Sequence, residues 1–210
     1  MIRAVLFDWD GTLADTAEAS YRCYVRMFAE FEIPFDRETF ARTYSPNWYH
    51  TFRQIGLDER HWSRADERWL AHFANERVDL LDGARHLLET LTARGLATGI
   101  VTSGGRERVE RELELHGLID HLHERVYGCD VKEKKPHPEG LLLCLDRLRM
   151  RAEEAVFVGD SPEDIEMARA SVVWRLAKSC CSRPVSCRRS MRAISDAIDC
   201  CTPKRSARAT

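Results

Sequence analysis

The sequence predicts an α/β protein whose parallel sheet is covered by helices on both faces, and three observations lead to this prediction. Short apolar runs alternate with segments of helical periodicity. A polar cluster rich in Asp, Ser, Thr or Gly follows each of these runs. Residues 15–80 carry helical patterns and no strand pattern, so we expect a small all-helical cap inserted after the first strand.

The elements follow in chain order. Residues 2–7 are apolar and partly β-branched apart from Arg3, and they predict a buried strand that ends at Asp8. Apolar periodicity, with breaks at Pro and Gly, predicts the cap helices at 16–31, 36–43, 46–56 and 61–76. The later elements are helices at 84–94, 105–115, 138–149 and 162–170 and strands at 96–101 and 155–158.

These elements divide the chain into a core of residues 1–14 and 81–175, a cap of residues 15–80, and an atypical tail of residues 176–210. The net charge of -2 argues against a nucleic-acid binder, which needs a basic excess. No apolar run approaches the roughly 20 residues of a membrane span, and the N-terminus lacks the layout of a signal peptide. We therefore expect a cytoplasmic monomer or homodimer.

The chain ending differs from the rest in composition. Residues 171–210 hold nine basic and two acidic residues, five of the eight cysteines and no glycine. The cysteine spacing does not match a zinc site, and disulfides are rare in the cytoplasm. Our hypothesis is a reading-frame shift near residue 171, in which case residues 172–174 could still supply a short strand and the tail could be disordered.

Four polar clusters fall where ligands bind in a parallel sheet, beyond the carboxyl ends of the strands. Three of them follow strands: residues 8–12 (Asp-Trp-Asp-Gly-Thr), 102–105 (Thr-Ser-Gly-Gly) and 159–164 (Gly-Asp-Ser-Pro-Glu-Asp). The fourth, residues 134–138 (Lys-Lys-Pro-His-Pro), precedes a helix. Each cluster alone has an ordinary explanation as a turn, a helix cap or a solvated charge. Together they predict one site.

The chemistry of these clusters is consistent. Asp8, Asp10 and Asp160 would bring three carboxylates into one pocket, which favours a bound divalent cation such as Mg²⁺. Lys135 and the backbone N–H groups of Ser103 and Gly104 could hold a phosphate. An aspartate can act as the nucleophile of phosphoryl transfer, and a second carboxylic acid can protonate the leaving oxygen.

The four clusters resemble, in order and spacing, the motifs of the haloacid dehalogenase-like hydrolase superfamily over residues 1–170, and the helical insert resembles the cap of its phosphoglycolate phosphatase and β-phosphoglucomutase branch. The resemblance implies a Rossmann-like core. It implies that Asp8 is the nucleophile and a metal ligand, and that Asp10 is the general acid and base, with its backbone carbonyl on the metal.

The resemblance assigns the remaining roles as well. Thr102 binds the phosphoryl group, with backbone contacts from Ser103 and Gly104, and Lys135 neutralises the phosphoryl oxygens and Asp8. Asp160 is a metal ligand, and Asp164 supports the metal site. Aromatic and basic residues near the start of one cap helix could gate the pocket, but cap packing explains them better: Tyr44, Trp48, Tyr49, His50 and Arg53.

The expected function is a Mg²⁺-dependent phosphatase that hydrolyses a small phosphorylated metabolite, phosphoglycolate-like by resemblance, under a mobile cap. One alternative is a sugar-phosphate mutase of the β-phosphoglucomutase type, which uses the same residues. Another is an inactive or regulatory binding protein whose altered ending prevents a stable fold. A dehalogenase is disfavoured because Asp10 and the other carboxylates suit phosphoryl chemistry.

Overall fold

The structure, a computed structural model, describes residues 1–45 and 48–177 of the 210-residue chain. Its strands are β1 (Ala4–Phe7), β2 (Ala97–Val101), β3 (Glu124–Val126), β4 (Ala155–Gly159) and β5 (Trp174–Ala177). They form one sheet in the order β3-β2-β1-β4-β5, with every neighbouring pair parallel. The predicted parallel α/β fold is confirmed.

Eight α-helices occur in the described part of the chain. They are α1 (Ala17–Ala29), α2 (Arg37–Thr43), α3 (Trp48–Ile55), α4 (Trp62–Phe73), α5 (Ala84–Ala93), α6 (Arg106–Leu115), α7 (Glu139–Leu148) and α8 (Pro162–Ala170). Short 3-10 turns occur at Glu59–His61, Ile119–His121 and Ala152–Glu154. Among the described residues, no helix has the length and apolar character needed to cross a membrane.

The side chains of β1 divide between the two faces of the sheet, as the pleat requires. Val5 and Phe7 belong to an apolar core that includes residues of α5 and α6 and continues into α1, α3 and α4. Ala4 and Leu6 belong to a second core, on the face covered by α7 and α8. Since both faces are covered, β1 is buried along its whole length.

The segment of residues 15–80, which we call the cap segment, is held together by aromatic packing. Phe28 lies with its ring centroid 4.7 Å from that of Phe35, and Trp69 stacks on Phe73 at the same distance. The chain enters and leaves the segment side by side, because the Asp15 N–H donates to the Asp79 carbonyl at 2.8 Å. The division into core and cap itself stays a prediction.

The chain order places a crevice at the carboxyl ends of β1 and β4. The connections from β1 lead through α5 to β2 and through α6 to β3, and the chain then crosses by α7 to β4 on the other side of β1. Ligands of open α/β sheets bind where the strand order reverses in this way. The loops after β1 and β4 carry Asp8 and Asp160 to this point.

Two strands differ from the sequence-based expectation. No strand was predicted for β3, which has only three residues and whose Glu124 and Arg125 do not give an apolar run. The strand considered at 172–174 instead spans Trp174–Ala177, so β5 includes two residues of the predicted tail. Since β5 pairs with β4, the sheet edge beside the fourth motif is covered. The rest of the tail lies outside the described residues.

Candidate active site

Lys135 is the central cation of the site. Its Nζ donates to Asp8 Oδ1 at 2.5 Å and lies 2.7 Å from Asp164 Oδ1, and only 5% of its side chain is exposed. Burial by itself lowers the pKa of Lys135, but Asp164 and Asp8 outweigh this effect and raise that pKa above its ordinary value. The ammonium group therefore stays charged and joins the loops after β1 and β3 to the start of α8.

The carboxylates of Asp8, Asp160 and Asp164 offer oxygens that lie within 4.8 Å of one another. Burial raises the pKa of Asp8; Lys135 opposes this effect, and the neighbouring carboxylates add to it. Three acids around one lysine leave an excess of negative charge in a buried place. Hard divalent cations take such oxygen ligands, so the donor set could hold a metal ion.

Asp164 caps α8 as well as joining this cluster. The Asp164 N–H donates to Ser161 Oγ at 3.2 Å, and Asp164 Oδ2 accepts from the Ser161 N–H at 3.1 Å, which is a capping box. Its other oxygen, Oδ1, faces Lys135. The two explanations weighed for this motif, capping and site chemistry, are therefore compatible in one side chain.

Two glycines give the loops room to approach each other. Gly11 has a φ of +76°, and a Cβ there would lie 2.3 Å from Asp160 Oδ2. A Cβ at Gly159 would lie 2.5 Å from the Asp164 side chain. Any larger residue at either position would push an acid out of the cluster.

Asp10 lies in the same cleft but outside the three-carboxylate cluster. Its Oδ1 accepts from Arg108 Nη1 at 2.9 Å and its Oδ2 from Arg108 Nη2 at 2.6 Å. The sequence-based assignment had no partner for Asp10. Arg108 and Glu112 are four residues apart on one helix, so the sequence reveals them as a possible ion pair. In contrast, nothing in the sequence links Arg108 to Asp10, which lies 98 positions away.

The second motif forms the wall of the cleft. Thr102 is 4% exposed, and its Oγ1 accepts from the Gly104 N–H at 3.0 Å. Ser103 and Gly104 line the cleft beside it. The structure thus brings together Asp8, Asp10, Thr102, Ser103, Gly104, Lys135, Asp160 and Asp164 around one opening.

Residues of the cap segment also line the cleft. Tyr44 and Trp48 line the cleft, together with residues that the sequence had not singled out: Ser20, Tyr24, Ser45 and Trp69. Tyr49, in contrast, stacks on Trp62 with ring centroids 5.2 Å apart. Arg53 lies over the same Trp62 ring, and His50 pairs with Gln54 on its own helix. Of the five cap residues considered, two therefore face the cleft.

Comparison with known proteins decides the family. A profile described as haloacid dehalogenase-like hydrolase matches residues 5–177.

The chain belongs to the haloacid dehalogenase-like hydrolase family.

Curated relatives of this chain in the haloacid dehalogenase-like family carry phosphatase names. Pyrophosphatase PpaX of Oceanobacillus iheyensis is 30% identical over 184 residues, covering 83% of this chain and 85% of its own. Phosphoglycolate phosphatase of Yersinia pseudotuberculosis is 31% identical over 183 residues, covering 81% of this chain and 78% of its own. These relatives confirm the predicted class of enzyme, a phosphatase of this family, and do not favour the mutase or the inactive-protein alternative.

Solved structures of the family share the fold. A subfamily IA hydrolase from Geobacter sulfurreducens has a TM-score of 0.65 and 27% identity, covering 84% of this chain and 86% of its own. CbbY from Rhodobacter sphaeroides, solved with phosphate, has a TM-score of 0.71 and 25% identity, covering 89% and 90%. The family match runs to residue 177. The match ends two residues beyond the predicted core, which was bounded at residue 175, and the reading-frame shift near residue 171 stays a hypothesis.

Proposed function

We propose that the protein is a Mg²⁺-dependent phosphatase that hydrolyses a small phosphate ester through an aspartyl phosphate on Asp8. One observation carries the proposal: Lys135 joins Asp8 to Asp164 inside a cluster of three carboxylates, at the crevice between β1 and β4. The proposed nucleophile Asp8, the positive charge of Lys135 and the carboxylate oxygens that could bind a metal ion thus lie together in the cleft.

In the first step, a carboxylate oxygen of Asp8 attacks the phosphorus, and the bond from phosphorus to the ester oxygen breaks. Asp10 lies in the same cleft and donates a proton to that departing oxygen, so the alcohol leaves neutral. The charged Lys135 offsets negative charge on the phosphoryl oxygens and on Asp8. Thr102, Ser103 and Gly104 orient the phosphoryl group from the wall of the cleft.

In the second step, water attacks the phosphorus of the aspartyl phosphate. Asp10, now ionised, takes a proton from the water, inorganic phosphate leaves and the Asp8 carboxylate is restored. Asp8 lies in the cleft at 6% exposure. Cap-segment residues such as Tyr44 and Trp48 limit the water that reaches it.

The residues fit a magnesium ion. Asp8, Asp160 and Asp164 would hold it with their carboxylates, and Asp10 with its backbone carbonyl. When bound, the ion supplies positive charge beside the reacting phosphoryl group. The partners proposed for the protein are a small-molecule phosphate ester and neither nucleic acid nor membrane, with a cytoplasmic location and a monomeric or homodimeric state.

The substrate class proposed is a compact phosphorylated metabolite of the phosphoglycolate type. This is supported by the names of the relatives, phosphoglycolate phosphatase and pyrophosphatase PpaX.

The test is a screen of the purified protein against phosphorylated metabolites, with Mg²⁺ and with chelator, in which released inorganic phosphate is measured. We expect turnover with Mg²⁺, little with chelator, and essentially none for Asp8→Asn, which removes the nucleophile but keeps its shape. Asp15→Asn is the matched control, because Asp15 is exposed in the same loop. Turnover that Asp8→Asn leaves unchanged contradicts the proposal.

A further inference from the structure

The guanidinium of Arg108 occupies the cleft beside Asp10 and contacts both of its carboxylate oxygens. The two contacts, at 2.9 and 2.6 Å, form the paired geometry in which the planar Arg fork matches a carboxylate. Only 13% of the Arg108 side chain is exposed, against 26% for Asp10. This pair is therefore part of the interior of the site and not a surface ion pair.

A second layer of contacts holds Arg108 in place. Its Nη1 also lies 3.1 Å from Glu112 Oε2, and the same Glu112 oxygen accepts from Trp9 Nε1 at 2.6 Å. Trp9 is fully buried. In the sequence it stands between Asp8 and Asp10, the two aspartates of the first motif. The chain Trp9–Glu112–Arg108–Asp10 thus ties the side chain of the proposed acid to the core.

Packing completes the enclosure of the guanidinium. Its Cζ lies 5.0 Å from the centroid of the Phe73 ring, which belongs to the cap segment. Gly104 also lies close to the guanidinium, since a Cβ added at Gly104 would lie 2.4 Å from Arg108 Nη2. The glycine of the second motif therefore leaves the space that Arg108 fills.

We propose that Arg108 is a positioning residue for Asp10, and that it sets the orientation from which Asp10 exchanges protons with the leaving oxygen and with water. This inference rests on the proposed function. The torsion that turns an Asp carboxyl group is broad, so Asp10 alone would sample many orientations. Proton transfer needs the two heavy atoms within hydrogen-bond reach, and the Arg108 fork, held by Glu112 and Phe73, supplies that restraint.

Two kinds of substrate depend to different extents on the proton from Asp10. An alkyl phosphate has a poor leaving group, so its first step needs the proton from Asp10. An aryl phosphate such as p-nitrophenyl phosphate has a leaving group that departs without protonation. The hydrolysis of the aspartyl phosphate is common to both substrates and needs Asp10 as the base.

The experiment compares Arg108→Met, Arg108→Lys and wild type on phosphoglycolate and on p-nitrophenyl phosphate, in the steady state and in the first turnover. For Arg108→Met we expect kcat on phosphoglycolate to fall by about 10²–10⁴-fold with little change in KM. On p-nitrophenyl phosphate we expect a rapid release of nitrophenol equal to the enzyme concentration, followed by slow turnover. Arg108→Lys restores the charge but not the fork, so we expect partial recovery.

Arg106→Met is the matched control, because Arg106 lies on the same helix and pairs with Asp130 outside the cleft. If Arg108→Met does not fold, Glu112→Gln replaces it, since it weakens the anchor of Arg108 and should give the same pattern to a smaller extent. Equal losses in the first turnover of both substrates, or no loss, overturn this inference alone. Absence of turnover by the wild type on both substrates overturns the proposed function and this inference with it.

Discussion

The catalytic edge of the sheet and the cap segment use charge in opposite ways. At the edge, Lys135, Asp8 and Asp164 form ion pairs whose side chains are only 5%, 9% and 2% exposed. In the cap segment the arginines of the ion pairs stay exposed, as in Arg37 with Glu18, at 65% and 49% exposure, and in Arg22 with Glu76, at 43% and 7%. The interior of the cap segment is aromatic instead. The sheet edge thus buries both members of its ion pairs, whereas the cap segment leaves its paired arginines exposed.

This difference has an energetic meaning. Burying ions costs desolvation energy that their mutual attraction barely offsets, so a buried pair is weak evidence for stability but is costly to break. Exposed pairs contribute at most about 1 kcal/mol, because water and salt screen them. The edge therefore holds its charges for chemistry, and the cap segment depends on apolar burial.

The largest effect is expected from breaking the buried pairs. Lys135→Met leaves Asp8 and Asp164 without their cation, and we expect a loss of about 3–5 kcal/mol in the free energy of unfolding, together with loss of phosphatase activity. Urea denaturation in the presence of chelator, and phosphate release with Mg²⁺, measure the two effects. Lys132→Met, at an exposed position in the same loop, is the control. Unchanged stability of Lys135→Met would remove the contrast between the two regions.

Apolar packing in the cap segment should give the next largest effect. Phe28 is fully buried between Tyr24, Phe35 and Phe52, so Phe28→Ala should lower the unfolding free energy by about 3–4 kcal/mol. Thermal and urea denaturation measure this loss. Leu70→Ala, on α4 at 45% exposure, should cost far less. Similar losses for both variants would show that the aromatic cluster does not stabilise the cap segment.

The smallest effect is expected from a surface pair of the cap segment. Hydrogen bonds from Arg68, and then from His72, lower the pKa of Glu30 from 4.5 to about 2. A lowered pKa in the folded state stabilises the protein above pH 4.5, and this contribution disappears as the pH falls toward 2. Glu30→Gln should therefore cost about 0.2–1 kcal/mol near neutral pH and nothing near pH 2.

The measurement is the difference in unfolding free energy between wild type and Glu30→Gln at both pH values. Glu67→Gln serves as the control, because Glu67 is exposed on α4 and forms no ion pair within the described residues. A difference that stays constant with pH would refute the assignment of this stabilisation to the Glu30 carboxylate.

Local signals in the sequence were sufficient for much of the fold. The apolar runs before Asp8 and Thr102 are strands, and helix boundaries such as Glu139–Leu148 lie within a few residues of the expected ones. β3 was missed because a three-residue strand with two charged residues has no periodicity to detect. β5 was misplaced because pairing with β4, and not its own composition, defines it.

The site residues also divide into those that local sequence signals reveal and those that only tertiary contacts reveal. Asp8, Asp10, Lys135 and Asp160 could be predicted from the chain alone to lie in one cleft, since each follows a strand or precedes a helix in a motif of the family. Arg108 could not, because an arginine that follows Glu107 on a highly charged helix has the pattern of a solvated face. Only the packing of α6 against the loop after β1 turns it toward Asp10.

The sequence by itself determined the fold class, the four motifs and the family, because strand-ending acids, helix caps and glycines act through local backbone geometry. The tertiary structure alone decided which groups share a proton or a cation: Lys135 with Asp8 and Asp164, and Arg108 with Asp10. The physical reason is that charge interactions depend on distance and burial, which are set by elements far apart in the chain.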